Sequence, residues 1–102
     1  MELTHQQFNR VLEVFQEFGP RRRLTYAERW SEDFPAMTHD DARRWEELCR
    51  EIEAYAYGIA ERVRDGELDQ KLASGMIAES YPHLDNDRIG HTFSQAMYFS
   101  MK

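Results

Sequence analysis

Residues 39–64 carry the feature that most limits what this chain can fold into, an apolar stripe that keeps a helical period for about six turns. Thr38 can cap the start of this segment, and Asp40 and Asp41 stand in its first turn, where carboxylates favour the positive end of a helix dipole. Charged side chains occupy the opposite face. The stripe consists of Ala42, Trp45, Leu48, Cys49, Ile52, Ala56, Ile59 and Val63. The pattern predicts one long helix over about 39–64.

Two shorter helices are predicted ahead of the long one. The pair Thr4–Gln7 has capping-box spacing, and apolar residues then recur at helical intervals up to Phe18. Gly19–Pro20 should end this helix, because proline cannot continue it and glycine readily adopts the left-handed cap. The pair Thr25–Glu28 repeats the capping-box spacing, so we expect a second helix over 26–33.

Two further helices are predicted after the long one. Leu72 and Ile77 belong to a fourth helix that ends at Tyr81–Pro82, and Asp85 or Asn86 can cap a fifth. No segment alternates with the two-residue period of a strand. The sequence therefore predicts an all-α fold, a compact bundle of about five helices with one long central helix and a C-terminal pair like a helix-turn-helix. We expect residues 1–102 to form a single domain.

Negative charge is concentrated in the middle of the chain. The protein has 13 Lys and Arg residues against 19 Asp and Glu residues, for a net charge of −6. Residues 38–79 hold six of these basic groups and eleven of the acidic ones. Nucleic-acid binding depends on cations that neutralise phosphates, so this acidity argues against it. An acidic surface attracts a basic protein partner, although the same charge could simply maintain solubility.

Composition excludes several other classes of protein. The longest uncharged apolar run, 54–60, is far shorter than the roughly 20 residues that span a bilayer, so no membrane association is expected. The single cysteine, Cys49, cannot form an intrachain disulfide and lies on the apolar stripe, where we expect it in the core. With no apolar leader, a cytoplasmic location is expected. Eleven arginines against two lysines are typical of a GC-rich bacterial genome.

No catalytic or cofactor motif was found in the sequence. It lacks a glycine-rich phosphate loop and a nucleophile elbow, so we expect neither an enzyme nor a bound cofactor. His83, Asp85, Asp87 and His91 are metal-capable residues within nine positions, but they match no metal-binding motif. Because both aspartates are explained as residues that cap a helix, no metal site is predicted.

The leading hypothesis is a small non-enzymatic protein-interaction module that docks on a basic partner. Inhibitors of this kind include antitoxins, immunity proteins and phage-encoded antagonists. The candidate partner-binding residues are the acidic side chains of the long helix and one tyrosine, namely Glu46, Glu47, Glu51, Glu53 and Tyr57.

An uncharged segment inside the long helix indicates a second kind of contact. Tyr55 and Tyr57 lie about 200° apart on a helical wheel, so one core-facing stripe cannot hold both. A helix that is apolar all round is buried on more than one side. The segment Tyr55–Ile59 could therefore form a homodimer interface, or it could be covered by other helices of the same chain.

The last third of the chain, residues 68–99, resembles the small bacterial helix-turn-helix family of antitoxin type. Members of that family often accompany toxin ribonucleases of the PIN-domain type. The matching positions are Ile77, Glu79, Tyr81, Pro82, Leu84, Ile89 and the run Ala96-Met97-Tyr98. The resemblance implies the alternative function, a nucleic-acid-binding regulator that uses residues 68–99. Its candidate contacts to nucleic acid are Arg21, Arg22, Arg23 and Arg88.

Overall fold

The computed structural model describes the backbone of residues 1–102 and every side chain except that of Arg22. Within the described backbone there are five α-helices, one short 3₁₀ helix over Pro20–Arg23, and no strand. The helices are α1 (His5–Phe15), α2 (Tyr26–Asp33), α3 (His39–Arg64), α4 (Gln70–Ser80) and α5 (Asn86–Ser100). The prediction of an all-α fold with about five helices, one of them long, is confirmed. None of the described helices is long and apolar enough to cross a bilayer.

Three helices begin with the same reciprocal pair of hydrogen bonds. At α1 the amide of Thr4 donates to the Gln7 side chain at 3.0 Å, and the amide of Gln7 donates to the Thr4 hydroxyl at 3.2 Å. The pair Thr25–Glu28 does the same for α2, with distances of 3.2 and 3.1 Å. At α3 the pair is Thr38–Asp41. Each pair satisfies two backbone donors that the helix start would otherwise leave unbonded.

The end of α3 is a Schellman motif built around Gly66. The Glu67 amide donates to the Arg62 carbonyl at 2.8 Å, and the Gly66 amide donates to the Val63 carbonyl at 3.1 Å. Gly66 has φ of +76°, in the left-handed region that glycine enters without the steric cost of a Cβ atom. This turn accounts for the predicted end of the long helix.

The predicted end of α1, directly after Phe18, is wrong by three residues. The helix ends at Phe15 rather than at Gly19–Pro20. The Glu17 amide bonds to the Val14 carbonyl three residues back, at 3.2 Å, and this tighter bond ends the α pattern. As a consequence Phe18 lies beyond the helix and is 66% exposed instead of joining the apolar stripe.

The chain divides into two compact units, Met1–Arg50 and Glu51–Lys102, which are described separately. That residues 1–102 form one domain stays a prediction. In the first unit α1 packs on α2, and Trp30 is completely buried. The Trp30 indole N–H donates to the Val11 carbonyl at 3.0 Å, and its ring meets the Trp45 ring edge to face at 5.6 Å between centroids. Cys49 is buried, as predicted.

In the second unit α4 packs on α5, and the turn Tyr81–Asp85 joins them. The buried apolar side chains of this unit are Ile52, Ala56, Ile59, Ala60, Ala73, Ile77, Leu84, Ile89, Phe93 and Ala96. Leu72, which we expected on the apolar face of the fourth helix, is 60% exposed. Ala73 and Ile77, which we expected on the same face, are the buried residues of α4, so the buried stripe of this helix is narrower than predicted.

Candidate partner-binding site

The five residues predicted to bind a partner all lie on α3, but they are divided between the two units. Glu46 and Glu47 belong to the first unit, whereas Glu51, Glu53 and Tyr57 belong to the second. The Glu46 carboxylate pairs with the Arg50 guanidinium at 3.4 Å, so part of its charge is neutralised within the helix. The side chains of Glu47 and Glu51 are exposed.

Glu53 and Tyr57 form one wall of a cleft in the second unit. They stand four residues apart on α3 and therefore share a face. The opposite wall comes from α5, where Thr92, Gln95, Ala96 and Phe99 recur at helical spacing. The cleft has a volume of about 300 Å³ and is lined by Glu53, Ala54, Tyr57, Thr92, Gln95, Ala96 and Phe99. We call it the α3–α5 cleft.

Aromatic rings that remain in contact with water border the α3–α5 cleft. Tyr57 is 38% exposed and Phe99 is 45% exposed, and the neighbouring Tyr98 is 60% exposed. The Lys102 ammonium lies 4.5 Å from the centroid of the Tyr98 ring and 5.9 Å from that of Phe99. Such distances are typical of cation–π attraction, so these rings already hold one cation of the chain itself. Aromatic side chains in this setting are typical of binding surfaces.

The cleft also contains a buried hydrogen-bond acceptor that the described side chains leave unused. The side-chain oxygen of Gln95 is inaccessible to water and receives no hydrogen bond from any described residue. Leaving a buried acceptor unpaired costs about 1–3 kcal/mol. Sequence reasoning missed Gln95 and Phe99, because their meeting with Tyr57 depends on how α5 packs.

The segment Tyr55–Ile59 is largely covered from within the second unit. The Tyr55 hydroxyl donates to the Met76 carbonyl at 3.4 Å and accepts from the Ser80 hydroxyl at 2.8 Å. Its ring meets that of Tyr81 at 5.7 Å between centroids. Burial, together with the nearby Glu51 carboxylate, raises the pKa of the Tyr81 hydroxyl. Tyr57 is thus the exposed tyrosine of the segment, and a homodimer through Tyr55–Ile59 stays a prediction.

The arginines predicted to contact nucleic acid also lie in different units. Arg21 donates to both carboxylate oxygens of Glu17 at 2.8 Å and also pairs with Glu32. These hydrogen bonds raise its pKa. Arg23 is exposed, and the side chain of Arg22 lies outside the described ones. Arg88 is half-buried in the first turn of α5, in the second unit.

The first unit has a larger and more open concavity of about 500 Å³, near the start of α3. It is lined by Ala27, Glu28, Ser31, Met37, Thr38, His39 and Ala42. Two of its polar side chains, Glu28 and Thr38, already bond to backbone amides in the capping boxes of α2 and α3. The described residues include no group of three or more histidine, cysteine or acidic side chains placed to hold a metal ion.

Comparisons of the chain with protein-family models, with curated proteins and with solved structures give no match.

Proposed function

We propose that the chain is a non-enzymatic protein-interaction module that binds a positively charged protein partner at the α3–α5 cleft. The observation that carries the proposal is the chemistry of that cleft. Two exposed rings, Tyr57 and Phe99, stand beside the Glu53 carboxylate and the unpaired Gln95 oxygen. A lysine or arginine side chain from a partner would meet a carboxylate and aromatic faces together.

The charge of the second unit supports the same class of partner. Residues 51–102 contain nine carboxylate side chains against five cationic ones. A surface of one predominant sign speeds the diffusional encounter with a partner of opposite sign, and the effect weakens as salt screens it. Glu51, an exposed acidic residue of α3 in this unit, would contribute to this attraction without entering the cleft. An inhibitor of antitoxin, immunity or phage-antagonist type would work in this way.

The α4–α5 pair favours a second candidate, the nucleic-acid-binding regulator that uses residues 68–99. Two packed helices joined by the short turn Tyr81–Asp85 are the observation in its favour. A helix that reads bases in the major groove presents arginine, asparagine or similar donors from its N-terminal part. At the start of α5, Asn86 and Arg88 stand beside Asp85 and Asp87, whose charges would repel phosphates.

Affinity capture from host lysate, with and without nuclease, tests both candidates. The tagged protein is compared with Tyr57→Ala and with Leu72→Ala, a control that removes a more exposed apolar side chain of α4 outside the cleft. We expect one stoichiometric basic protein that survives nuclease treatment, remains bound to Leu72→Ala and is lost from Tyr57→Ala. Equal recovery by all three chains would contradict a role for the cleft. Recovery that disappears with nuclease would favour the helix-turn-helix candidate.

A further inference from the structure

Arg29 of α2 is a buried cation in the first unit. The residue is only 6% exposed, and its guanidinium lies 5.0 Å from the centroid of the Tyr26 ring. The buried Nε–H group donates a hydrogen bond to none of the described residues. A charged group removed from water is costly unless a counter-charge and hydrogen bonds compensate it, so this donor requires an explanation.

Five other arginines of the first unit have a carboxylate partner. Arg10, Arg43, Arg44 and Arg50 pair with carboxylates at 2.7 to 3.4 Å, and Arg21 pairs with Glu17 and Glu32. The Glu17 carboxylate does respond to the charge of Arg29, since its pKa is lowered mainly by the hydrogen bond from Arg21 and further by the charges of Arg10 and Arg29. Both of its oxygens, however, are bonded to Arg21.

A second cation lies at the same aromatic ring. The Arg50 guanidinium is 5.8 Å from the Tyr26 centroid and 5.7 Å from the centroid of Phe15, which stacks on Tyr26 at 4.5 Å. Arg50 is itself exposed and pairs with Glu46 through a long contact of 3.4 Å. Two guanidinium groups thus border the Phe15–Tyr26 stack, one buried with an unused donor and one at the surface.

From these contacts we propose that Arg29 binds an oxyanion, the phosphoryl or carboxylate group of a ligand, with Arg50 as the second positive charge. The Nε and one terminal nitrogen of a guanidinium form the fork that holds two oxygens of such a group. The bound oxyanion would supply both the counter-charge and the acceptor for the Arg29 Nε–H. The site lies in the first unit and does not depend on the α3–α5 cleft.

The test is a titration of the full-length protein with inorganic phosphate, and separately with acetate, at constant ionic strength. The readout is the NMR signal of the Arg29 Nε–H group, which reports the hydrogen bond directly. We expect phosphate to shift this signal and to raise the thermal midpoint, because a ligand that binds only the folded state stabilises it. A shift with acetate alone would assign the site to carboxylates, and a shift with both to oxyanions in general.

Two variants separate binding from folding. Arg29→Met removes the charge but keeps the length of the side chain, and Arg29→Lys keeps the charge but lacks the Nε–H donor. We expect Arg29→Lys to lose affinity by about tenfold and Arg29→Met to lose binding, whereas Arg43→Met, an exposed control, keeps it. If Arg29→Met does not fold, the Nε–H signal of the wild-type protein and the affinity of Arg29→Lys still test the proposal. An Nε–H signal that neither anion moves, or equal affinity in Arg29→Lys, would overturn the proposal.

Discussion

Thr38 and Asp41 exchange two hydrogen bonds across the first turn of α3. The Thr38 amide donates to the Asp41 carboxylate at 3.0 Å, and the Asp41 amide donates to the Thr38 hydroxyl at 3.1 Å. Asp41 is buried, and its other carboxylate oxygen accepts from the Met1 amino group at 2.8 Å and from Arg44 at 3.0 Å. The start of the longest helix therefore depends on one ionised carboxylate.

Asp41 should make the folded state sensitive to acid. The hydrogen bond from the Met1 amino group, followed by that from the Thr38 amide, holds the pKa of this carboxyl well below its ordinary value of 3.8. A lowered pKa in the folded state stabilises folding at pH values above 3.8, and this contribution is lost as the pH falls further.

Urea denaturation between neutral pH and about pH 2 tests the Asp41 account. We expect Asp41→Asn to be less stable than wild type at neutral pH, with a difference that shrinks as the pH falls below 3.8. Asp40→Asn, whose side chain is exposed, should differ from wild type much less than Asp41→Asn does at neutral pH. A deficit of Asp41→Asn that stays constant with pH would contradict the assignment.

Trp30 should dominate the stability of the first unit. Trp30→Phe leaves the buried Val11 carbonyl without its indole donor and opens a small void, so we expect a loss of about 2–3 kcal/mol in the free energy of unfolding. Phe18→Ala removes an aromatic ring that is 66% exposed, and we expect a change within about 0.5 kcal/mol. Chemical denaturation measures the free energy of unfolding of both variants. Comparable losses of stability in the two would show that the aromatic core is wrongly assigned.

Replacing each of two glycines with alanine should change the stability of the protein in opposite directions. Gly66→Ala forces a Cβ into the left-handed region at the end of α3 and should destabilise the protein by about 1 kcal/mol. Gly75 lies inside α4, where an added Cβ would meet no atom within 4 Å. Because alanine is the better helix former, Gly75→Ala should stabilise by about 0.5–1 kcal/mol. Thermal denaturation measures the midpoint of each variant relative to wild type. Midpoints that shift in the same direction for both variants would refute this account.

Reversing the exposed acidic charges of α3 should slow association with the captured partner. We expect the combined Glu47→Lys and Glu51→Lys variant to lower the association rate roughly tenfold at low salt, with the difference shrinking as salt increases. Glu2→Lys reverses an exposed charge outside α3 and serves as the control. Stopped-flow or surface-based kinetics measure the rates, and an unchanged rate at low salt would eliminate electrostatic attraction by α3.

The capping boxes and the apolar period explain why the bounds of α2 and α3 could be predicted from the sequence. Both signals are local, because the bonds at Thr25–Glu28 and Thr38–Asp41 join residues three apart. The end of α1 could not be placed, since the tighter bond from Glu17 to Val14 precedes the glycine and proline that dominate the pattern.

The candidate sites were less predictable than the helices. The helical wheel indicated that Tyr55 and Tyr57 cannot share one stripe, but the side that is covered depends on the packing of α4, which supplies Met76 and Ser80 to Tyr55. Glu53 and Tyr57 were predicted as partner residues, whereas Gln95 and Phe99 join them only once α5 is in place. The missing partner of the buried Arg29 donor likewise depends on three-dimensional contacts.

Site-specific photocrosslinking in the host cell tests the central claim most directly. A photoreactive phenylalanine analogue replaces Tyr57 in one version of the protein and Leu72 in the other, and mass spectrometry identifies the crosslinked products. If the α3–α5 cleft binds a positively charged protein, position 57 should yield a discrete basic protein that position 72 does not. The same products at both positions, or nucleic acid at position 57, would contradict the account.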